Sequence, residues 1–377
     1  MDVRDFLLWM ETAPRGRRAE AGFALARSYL HTEVDDATRR DMQAALTVLL
    51  DDDAPEVRYA LADALAASDK APRHVIVGLA ADHAEIAALV LSRSPLFLDS
   101  ELIDIAAAAA APLQEAVARR PLVSQSVAAA IAEVGEKSAC LVLLANPGAG
   151  IATISFRRIA ERFGDELDIR EALLMRDDLS AEIRQLLVRT VSDRLNAMVV
   201  DRAWLPETRA RAVTREACDR ATIAIAAETE TRELPALVEH LRVTGQLTTA
   251  LLLRAVCAGN MSFFQAALSV LTGVPEKRVA ALVRGRRMAG LRAAYTRAGL
   301  PAYAFDAFNA VLDVWRRAPD VGPEERFRFI AANVETVLSR YRDIGEAEVR
   351  ELAAMLRRFA AEQTRAAARD YVRAVAA

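Results

Sequence analysis

A chain of 377 residues, 53% of them hydrophobic, has enough apolar surface to fold, which excludes an intrinsically disordered protein. A formal net charge of −3 and a pI near 6.0 argue against a protein that coats nucleic acid or anionic membrane through net charge alone. Only 15 glycines and 13 prolines are present, fewer than the tight turns of a sheet protein require, so an all-α fold is favoured.

Residues 1–50 predict an N-terminal helical cap. Ala19 to Leu30 and Asp36 to Leu50 have helical patterning, and Asp35 or Asp36 is a suitable N-cap for the second segment. The acidic start lacks the basic region of a secretory signal, and no apolar run approaches the roughly 18 residues that span a bilayer. We therefore expect a soluble, cytoplasmic protein without a membrane span.

A period of 26 residues organises the segment 51–196. Pro95, Pro121 and Pro147 follow this spacing, and each begins a short break between apolar stretches. Core positions recur in the same register, at Leu65, Leu91, Val117 and Leu143 on the first helix of each unit and at Ile76, Leu102, Ala128 and Ile154 on the second. One helical hairpin cannot bury its own apolar face, so the period predicts an α-solenoid of stacked hairpins.

The predicted hairpins lie between these breaks. Apolar residues within each unit recur at helical spacing, as at Val57, Leu61, Ala64 and Leu65. The expected helix pairs are 54–67 with 71–81, 84–93 with 98–108, 113–119 with 122–134, 137–145 with 150–162, and a lengthened 166–176 with 180–195.

Beyond residue 196 the period ends, but helical patterning continues to residue 377. Prolines at helix starts and glycines at helix ends delimit the segments. The sequence predicts an irregular C-terminal helical lobe over 197–377, with helices near 206–228, 233–244, 247–258, 261–272, 275–284, 286–298, 302–317, 323–342 and 346–374.

The segment Asp53 to Ala62 resembles the opening helix of a HEAT repeat. More specifically, the chain resembles the bacterial domain-of-unknown-function family numbered 2336, which is common in alphaproteobacteria. The resemblance is carried by Asp53–Ala62, Ser92–Leu96, Gly245–Ala255, Phe263–Leu268 and Leu291–Pro301, and it extends over roughly residues 20–320. It implies the helical fold, but the family has no established activity and so implies no catalytic residues.

Three sequence features that could indicate metal or phosphate binding have simpler structural explanations. The four histidines lack metal-ligand spacing. The segment Asn146–Gly150 has the glycines of a phosphate loop but occupies the position of a repeat turn. Asp51, Asp52 and Asp53 precede a helix, where carboxylates are favoured by capping and by the helix dipole. The three widely spaced cysteines suggest neither a disulfide framework nor a zinc site. We therefore predict no catalytic residue, no metal ligand and no cofactor.

Two sets of basic residues are candidates for binding. Arg93 and Arg119 are 26 residues apart near the ends of first helices, and a row of arginines on the array suits an acidic peptide or a phosphate backbone. Helix-dipole complementation and solubility are the simpler explanation of these arginines. The complete candidate set for partner binding is Arg93, Arg119, Arg120, Arg157 and Arg158.

The segment 269–282 has the spacing of a helix-turn-helix, with Gly273 in the turn and Val279 and Leu282 as apolar anchors. A generic helical hairpin also satisfies so short a pattern, and Ser269 stands where alanine is usual. The nucleic-acid contacts of this alternative are Lys277, Arg278, Arg284, Arg286 and Arg287.

We therefore expect a non-enzymatic scaffold or adaptor that binds a protein or peptide on its solenoid surface. The alternative is a DNA-associated regulator that uses the 269–282 hairpin. An enzyme is a third hypothesis, with no motif in its favour.

Overall fold

The computed structural model describes residues 3–285 and 287–317, together with 334, 335, 338, 353, 354, 356–361, 364, 365, 368 and 369. These residues form twenty α-helices and two short 3-10 helices, and the only β pairing among them is an isolated bridge between Val123 and Ala149. The predicted all-α class is confirmed for this part of the chain. Contacts divide the chain into two compact units, Met1–Leu179 and Ser180–Ala377.

The first unit contains twelve α-helices within its described residues. They are α1 (Val3–Thr12), α2 (Arg15–His31), α3 (Asp36–Val48), α4 (Pro55–Leu65), α5 (Arg73–Ala80), α6 (Ala84–Arg93), α7 (Asp99–Ala108), α8 (Ala111–Ala118), α9 (Gln125–Val134), α10 (Lys137–Ala145), α11 (Thr153–Phe163) and α12 (Leu167–Leu174). A 3-10 turn, Leu49–Asp51, follows α3. The helix α1 was not predicted, whereas α4 to α12 lie within a few residues of their predicted bounds.

The second unit contains eight α-helices in its described part. They are α13 (Ala181–Asp201), α14 (Glu207–Glu228), α15 (Leu234–Val243), α16 (Thr249–Cys257), α17 (Met261–Thr272), α18 (Glu276–Arg284), α19 (Met288–Arg297) and α20 (Phe305–Arg317). A 3-10 turn, Ala302–Ala304, precedes α20. The predicted helices 323–342 and 346–374 fall mainly on residues outside the described part. The predicted division at residues 50 and 196 rests on the period and stays a prediction.

Aspartates fix the backbone at two helix starts near the beginning of the chain. Asp35 is the N-cap of α3, and its carboxylate accepts a hydrogen bond of 2.8 Å from the backbone N–H of Thr38. Asp52 accepts from the N–H of Ala54 at 2.9 Å, just before α4, and pairs with Arg18 of α2 at 3.0 Å. Asp35 therefore caps α3 as predicted. The predicted capping of α4 by the aspartates before it is wrong, because Ala54 is the N-cap without a side-chain cap and Asp52 instead joins α2 to the start of α4.

Helices of the first unit pack on their next-but-one neighbours. The helix α6 packs on α8, α8 on α10 and α10 on α12, while α7 packs on α9 and α9 on α11. Leu65, Leu91, Val117 and Leu143 are fully buried in α4, α6, α8 and α10. Each helix therefore covers an apolar face that its own hairpin partner does not cover.

The core register on α11 differs from the predicted one. Ile154 is 74% exposed, whereas Phe156 and Ile159 are buried. The corresponding buried pair on α9 is Ala128 and Ile131, so the register advances by 28 residues here instead of 26. Because α10 and the connection after it are together two residues longer than α8 and its connection, the prediction that Ile154 lies in the core is wrong.

The ends of successive helices are joined by side chains that bind backbone carbonyl oxygens. Arg120, just after α8, donates to the carbonyls of Leu91 at 2.5 Å and of Ser94 at 2.8 Å, at the end of α6. Asn146, at the end of α10, donates to the carbonyls of Ala118 at 2.8 Å and of Arg120 at 2.7 Å. Each acceptor lies 26 to 29 residues before its donor.

Two further arginines complete this carbonyl ladder (Arg120, Asn146, Arg162 and Arg176). Arg176, after α12, donates to the carbonyls of Asn146 at 2.8 Å and Ala149 at 3.2 Å. Arg162 of α11 donates to those of Ala132 at 2.7 Å and Gly135 at 2.8 Å, at the end of α9. The last carbonyls of a helix lack intrahelical partners and carry partial negative charge, so cationic donors stabilise them.

The segment Asn146–Gly150 is confirmed as the turn between α10 and α11. The Asn146 carboxamide oxygen accepts from the N–H of Gly148 at 2.9 Å, and the N–H of Gly150 donates to the Val123 carbonyl at 2.9 Å. A Cβ at Gly148 would stand 1.9 Å from the Pro121 carbonyl oxygen, so no side chain fits there. The glycines thus allow close approach to the preceding turn.

The core of the second unit is built around α16 and α17. Every residue from Leu251 to Cys257 is buried, including Arg254, which donates to the carbonyl and carboxylate oxygens of Glu216 at 3.1 and 3.0 Å. The rings of Phe264 and Phe308 stack with centroids 5.3 Å apart. A buried guanidinium is tolerated here because a carboxylate and a carbonyl replace its water.

The corrected register of α11 is tested by a pair of alanine substitutions. We expect Phe156→Ala to reduce the free energy of unfolding by about 3 to 5 kcal/mol, because it leaves a cavity in the core. Ile154→Ala should change it by less than about 0.5 kcal/mol, because that side chain is exposed. Urea unfolding followed by circular dichroism measures both, and a larger loss for Ile154→Ala would contradict the register.

The carbonyl ladder is tested by two adjacent arginines. We expect Arg120→Ala to cost about 2 to 4 kcal/mol, because two carbonyls at the end of α6 lose a charged donor. Arg119→Ala removes an equal charge whose one ion pair among the described residues is a 3.8 Å contact with Glu115, so it should cost less than about 0.5 kcal/mol. Equal losses in urea unfolding would show that the ladder contributes nothing specific.

Candidate functional site

Three large apolar side chains remain exposed at the starts of three consecutively packed helices. Leu98 is the N-cap of α7, Leu122 precedes α9 by three residues, and Ile154 is the second residue of α11. Their exposed fractions are 61%, 80% and 74%. We call Leu98, Leu122 and Ile154 the apolar edge. Single exposed apolar residues need no explanation, but three near the starts of packed helices make this edge a candidate contact surface.

Polar contacts hold the helix starts along this edge together. Ser126 of α9 donates to the carboxylate of Asp99 of α7 at 2.9 Å. The connections before α9 and α11 meet where the N–H of Val123 donates to the Gly148 carbonyl at 3.2 Å. Hydrogen bonds as well as helix packing therefore fix the positions of the helix starts that carry the three apolar side chains.

Carboxylates accompany the apolar edge, and each is already engaged. Hydrogen bonds from Ser124 and Ser126 lower the pKa of Asp99, and burial opposes them weakly. Glu101 accepts from the N–H of Leu98 at 2.9 Å and pairs with Arg73 at 2.5 Å, and these contacts lower its pKa. The edge therefore offers apolar contact beside a weakly acidic rim.

The arginines predicted for partner binding do not form one continuous row. Arg93 and Arg119 are exposed at the ends of α6 and α8, and they pair with Asp63 at 3.1 Å and Glu115 at 3.8 Å. Arg120 is half-buried in the carbonyl ladder, and burial lowers its pKa.

The other two predicted arginines, Arg157 and Arg158, are half-buried on α11. Arg158 binds Glu133 at 2.8 Å. The structure thus gives Arg120 a structural role, and partner binding by these five residues stays a prediction.

The residues predicted to contact nucleic acid lie on α18 and the turn after it. Lys277, Arg278 and Arg284 are exposed on the helix, and Arg287 is exposed just before α19. Arg286 lies outside the described residues. The described members of this set are brought together by the structure, whereas the other arginine set is divided between helices.

Sequence reasoning did not predict a polar crevice of about 370 Å³ between α13, α14 and the turn before α16. Polar residues recur at helical spacing on both facing helices, at Arg189, Ser192, Asp193 and Asn196 and at Arg211, Thr214, Arg215, Cys218 and Asp219. The Asn196 carboxamide oxygen is buried there and has no hydrogen-bond partner among the residues that the structure describes. The signal was present in the sequence, because two neighbouring helices carry polar stripes where packed helices normally carry apolar ones.

The crevice also contains a perturbed carboxyl group. Burial raises the pKa of Asp219 to about 6, although the charges of Arg254 and Arg215 oppose the shift. Its neighbour Cys218 has a raised thiol pKa for the same reason. Burial likewise raises the thiol pKa of Cys140 to about 11 and of Cys257 to about 12, so these thiols stay protonated at neutral pH and are poor nucleophiles.

The described part of the chain lacks two features, a candidate metal site and a membrane-spanning helix. Its His, Cys, Asp and Glu side chains form no group of three or more that is able to hold a metal ion. None of its helices combines the length and the apolar character needed to cross a membrane.

The fold and the candidate surfaces define an all-helical protein of two compact units. The chain belongs to the family DUF2336, described as an uncharacterised protein conserved in bacteria, whose model matches residues 86–347. The resemblance seen in the sequence is thereby confirmed at the family level. Comparison with curated proteins and with solved structures gives no match.

The Asp219 carboxyl predicts a pH-dependent contribution to stability. A folded pKa near 6 lies above the unfolded value of 3.8, so Asp219 lowers the free energy of unfolding progressively as pH rises from about 4 to about 6. We expect Asp219→Asn to remove this loss and to stabilise the protein by about 1 to 3 kcal/mol at pH 7.5. The gain should shrink towards zero at pH 4.

Thermal unfolding of the wild type and Asp219→Asn between pH 4 and 8 measures this difference. A variant that is less stable than the wild type at pH 7.5 would show that the carboxylate is stabilised in the fold, contrary to the shift.

Proposed function

We propose that the protein is a non-enzymatic scaffold that binds an extended segment of another protein along the apolar edge. The observation that carries the proposal is the exposure of Leu98, Leu122 and Ile154 at the starts of α7, α9 and α11. Burying exposed apolar side chains is the main source of affinity at protein interfaces. In this proposal the three side chains contribute apolar contact and take no part in catalysis.

The proposal includes the finer architecture that the period predicts. Residues 51–196 form an α-solenoid of HEAT-like hairpins with a unit of about 26 residues in this proposal. It is supported by the next-but-one packing of α6 to α12 and by the carbonyl ladder, whose contacts return 26 to 30 residues along the chain. Stacked units of this kind place equivalent residues in a row, which suits an extended partner.

The surroundings of the edge favour a particular partner chemistry. Asp99 and Glu101 lie beside Leu98 and are acidic, while the apolar side chains themselves carry no charge. A segment with two or three apolar side chains at regular spacing, flanked by basic residues, is complementary to this arrangement. Such a segment would also explain why the arginines of the array are paired within the chain instead of being left for the partner.

A cytoplasmic location is part of the same proposal. Cys140, Cys218 and Cys257 are all free thiols, and two of them are buried. Unpaired cysteines are typical of a reducing compartment.

The proposal is tested by charge substitution on the apolar edge. We expect Leu122→Glu/Ile154→Glu to lose the partners that the wild type retains in affinity purification under mild salt, because two charges would have to be buried. The matched control is Leu174→Glu/Met175→Glu, which changes two exposed apolar residues, 58% and 84% exposed, at the end of α12.

Mass spectrometry of the purified complexes gives the readout, and circular dichroism checks that both variants fold. Partners that depend on the edge are absent from the first variant and present in the control. If both variants recover the same proteins as the wild type, or if none is recovered with any of the three, the proposed function is wrong.

A further inference from the structure

A short turn joins α17 to α18, so that the two helices form a helical hairpin. Gly273 adopts a left-handed conformation with φ of 69°, which ends α17 and turns the chain. The Ser269 hydroxyl donates to the Val274 carbonyl at 2.7 Å, and the N–H of Val274 donates to the Thr272 hydroxyl at 3.2 Å. Ser269 therefore has a defined part in the turn, although alanine is usual at its position in a helix-turn-helix.

The inner side of α18 is anchored in the core of the second unit. Val279 and Val283 are buried among the core residues contributed by α16, α17 and α20. Arg316 of α20 donates through Nε and Nη2 to the Val283 carbonyl at 2.9 and 2.7 Å, which fixes the end of α18. Core packing therefore holds α18 on one side, and the hydrogen bonds from Arg316 hold its end.

The opposite side of α18 is exposed and basic. Lys277, Ala281 and Arg284 are all exposed, and at 100° per residue they lie within about 60° of one another around the helix. Arg278 is exposed beside them, and Arg287 follows in the next turn. We call Lys277, Arg278, Arg284 and Arg287 the basic face. The small side chain of Ala281 at its centre leaves room for close approach.

The four cations of the basic face differ from several paired arginines elsewhere in the chain in their electrostatic state. Arg93, Arg158 and Arg242 each have a carboxylate partner within the chain. The four cations of the basic face form no ion pair with another described residue. Glu276 is the single acidic residue of α18. A protein of net charge −3 thus concentrates positive charge on α18 and the turn after it, and no described carboxylate forms an ion pair with these cations.

We propose that the basic face binds duplex DNA, with α18 lying in the major groove. An α-helix fits the major groove of B-form DNA, and the cations flanking its exposed side are placed to contact phosphates. The turn and the buried valines hold α18 as the second helix of a helix-turn-helix, the position of a recognition helix. The interaction is independent of the apolar edge, which lies in the first unit.

The test uses the full chain and a fluorescein-labelled 30-base-pair DNA duplex, with binding followed by fluorescence anisotropy. If four phosphates are neutralised, affinity should fall on the order of 100-fold between 50 and 200 mM NaCl. Lys277→Ala/Arg284→Ala should bind at least tenfold more weakly at 50 mM NaCl, with a shallower salt dependence. No anisotropy change for the wild type at 50 mM NaCl would overturn the proposal.

Two further variants separate this site from general electrostatic attraction. Arg93→Ala/Arg119→Ala removes the same charge from exposed helix ends of the first unit and should bind DNA as the wild type does. Ala281→Glu adds a carboxylate at the centre of the basic face and should abolish binding while leaving the circular dichroism spectrum unchanged. Equal losses from the two double substitutions would overturn the assignment to α18.

Duplex RNA of the same sequence provides the last comparison. Its major groove is too narrow and deep for an inserted helix, so affinity should be at least tenfold lower than for DNA. Equal affinity would overturn docking in the major groove. Leu122→Glu/Ile154→Glu should bind DNA normally, so that failure of this proposal and failure of the scaffold proposal give different results.

Discussion

The first unit depends on hydrogen bonds that the ends of α6, α8, α9 and α10 receive from residues one hairpin later in the chain. The last carbonyls of a helix have no partner within that helix, and short helices have a large share of such groups. Here Arg120, Asn146 and Arg176 bind carbonyls at the ends of α6, α8 and α10. The residues before Pro95, Pro121 and Pro147 thus take part in the ladder, because a proline ends the helix and leaves its predecessor extended. The contacts between neighbouring units explain how helices of only eight to eleven residues are maintained.

The sequence predicted the helices of the first unit well because two independent signals agree there. Prolines and aspartates mark the breaks, and apolar residues recur with helical spacing between them. The same signals do not report the length of a connection, which is why Ile154 was placed in the core and Phe156 was not. Apolar side chains fit the repeat in either register, and only packing against α9 distinguishes the two. The resulting exposure of Ile154 is also what completes the apolar edge, so the surface itself was unpredictable from the period.

Charged residues were harder to interpret than apolar ones. Arg119 and Arg120 are adjacent in the sequence, yet one is exposed and the other binds two carbonyls of the preceding unit. Nothing in their local sequence separates these roles, because they depend on residues about 26 positions earlier. The 269–282 hairpin was recognised because its signals are local: a glycine with positive φ and apolar anchors on the next helix. The polar crevice beside Asp219 was overlooked because its two stripes are apparent only when α13 and α14 are paired.

The close packing at Gly148 restricts the insertions and deletions that the first compact unit tolerates. Its approach to Pro121 leaves no space for a side chain, and the Asn146 side chain next to it reaches back one unit to α8. Removing part of one helical hairpin would separate a donor from its carbonyls and disrupt this turn. If the proposed repeat holds, duplication or deletion of one complete hairpin would bring each donor to an equivalent helix end. Such a change would preserve these contacts, and it would extend or reduce the row of exposed side chains at the same time.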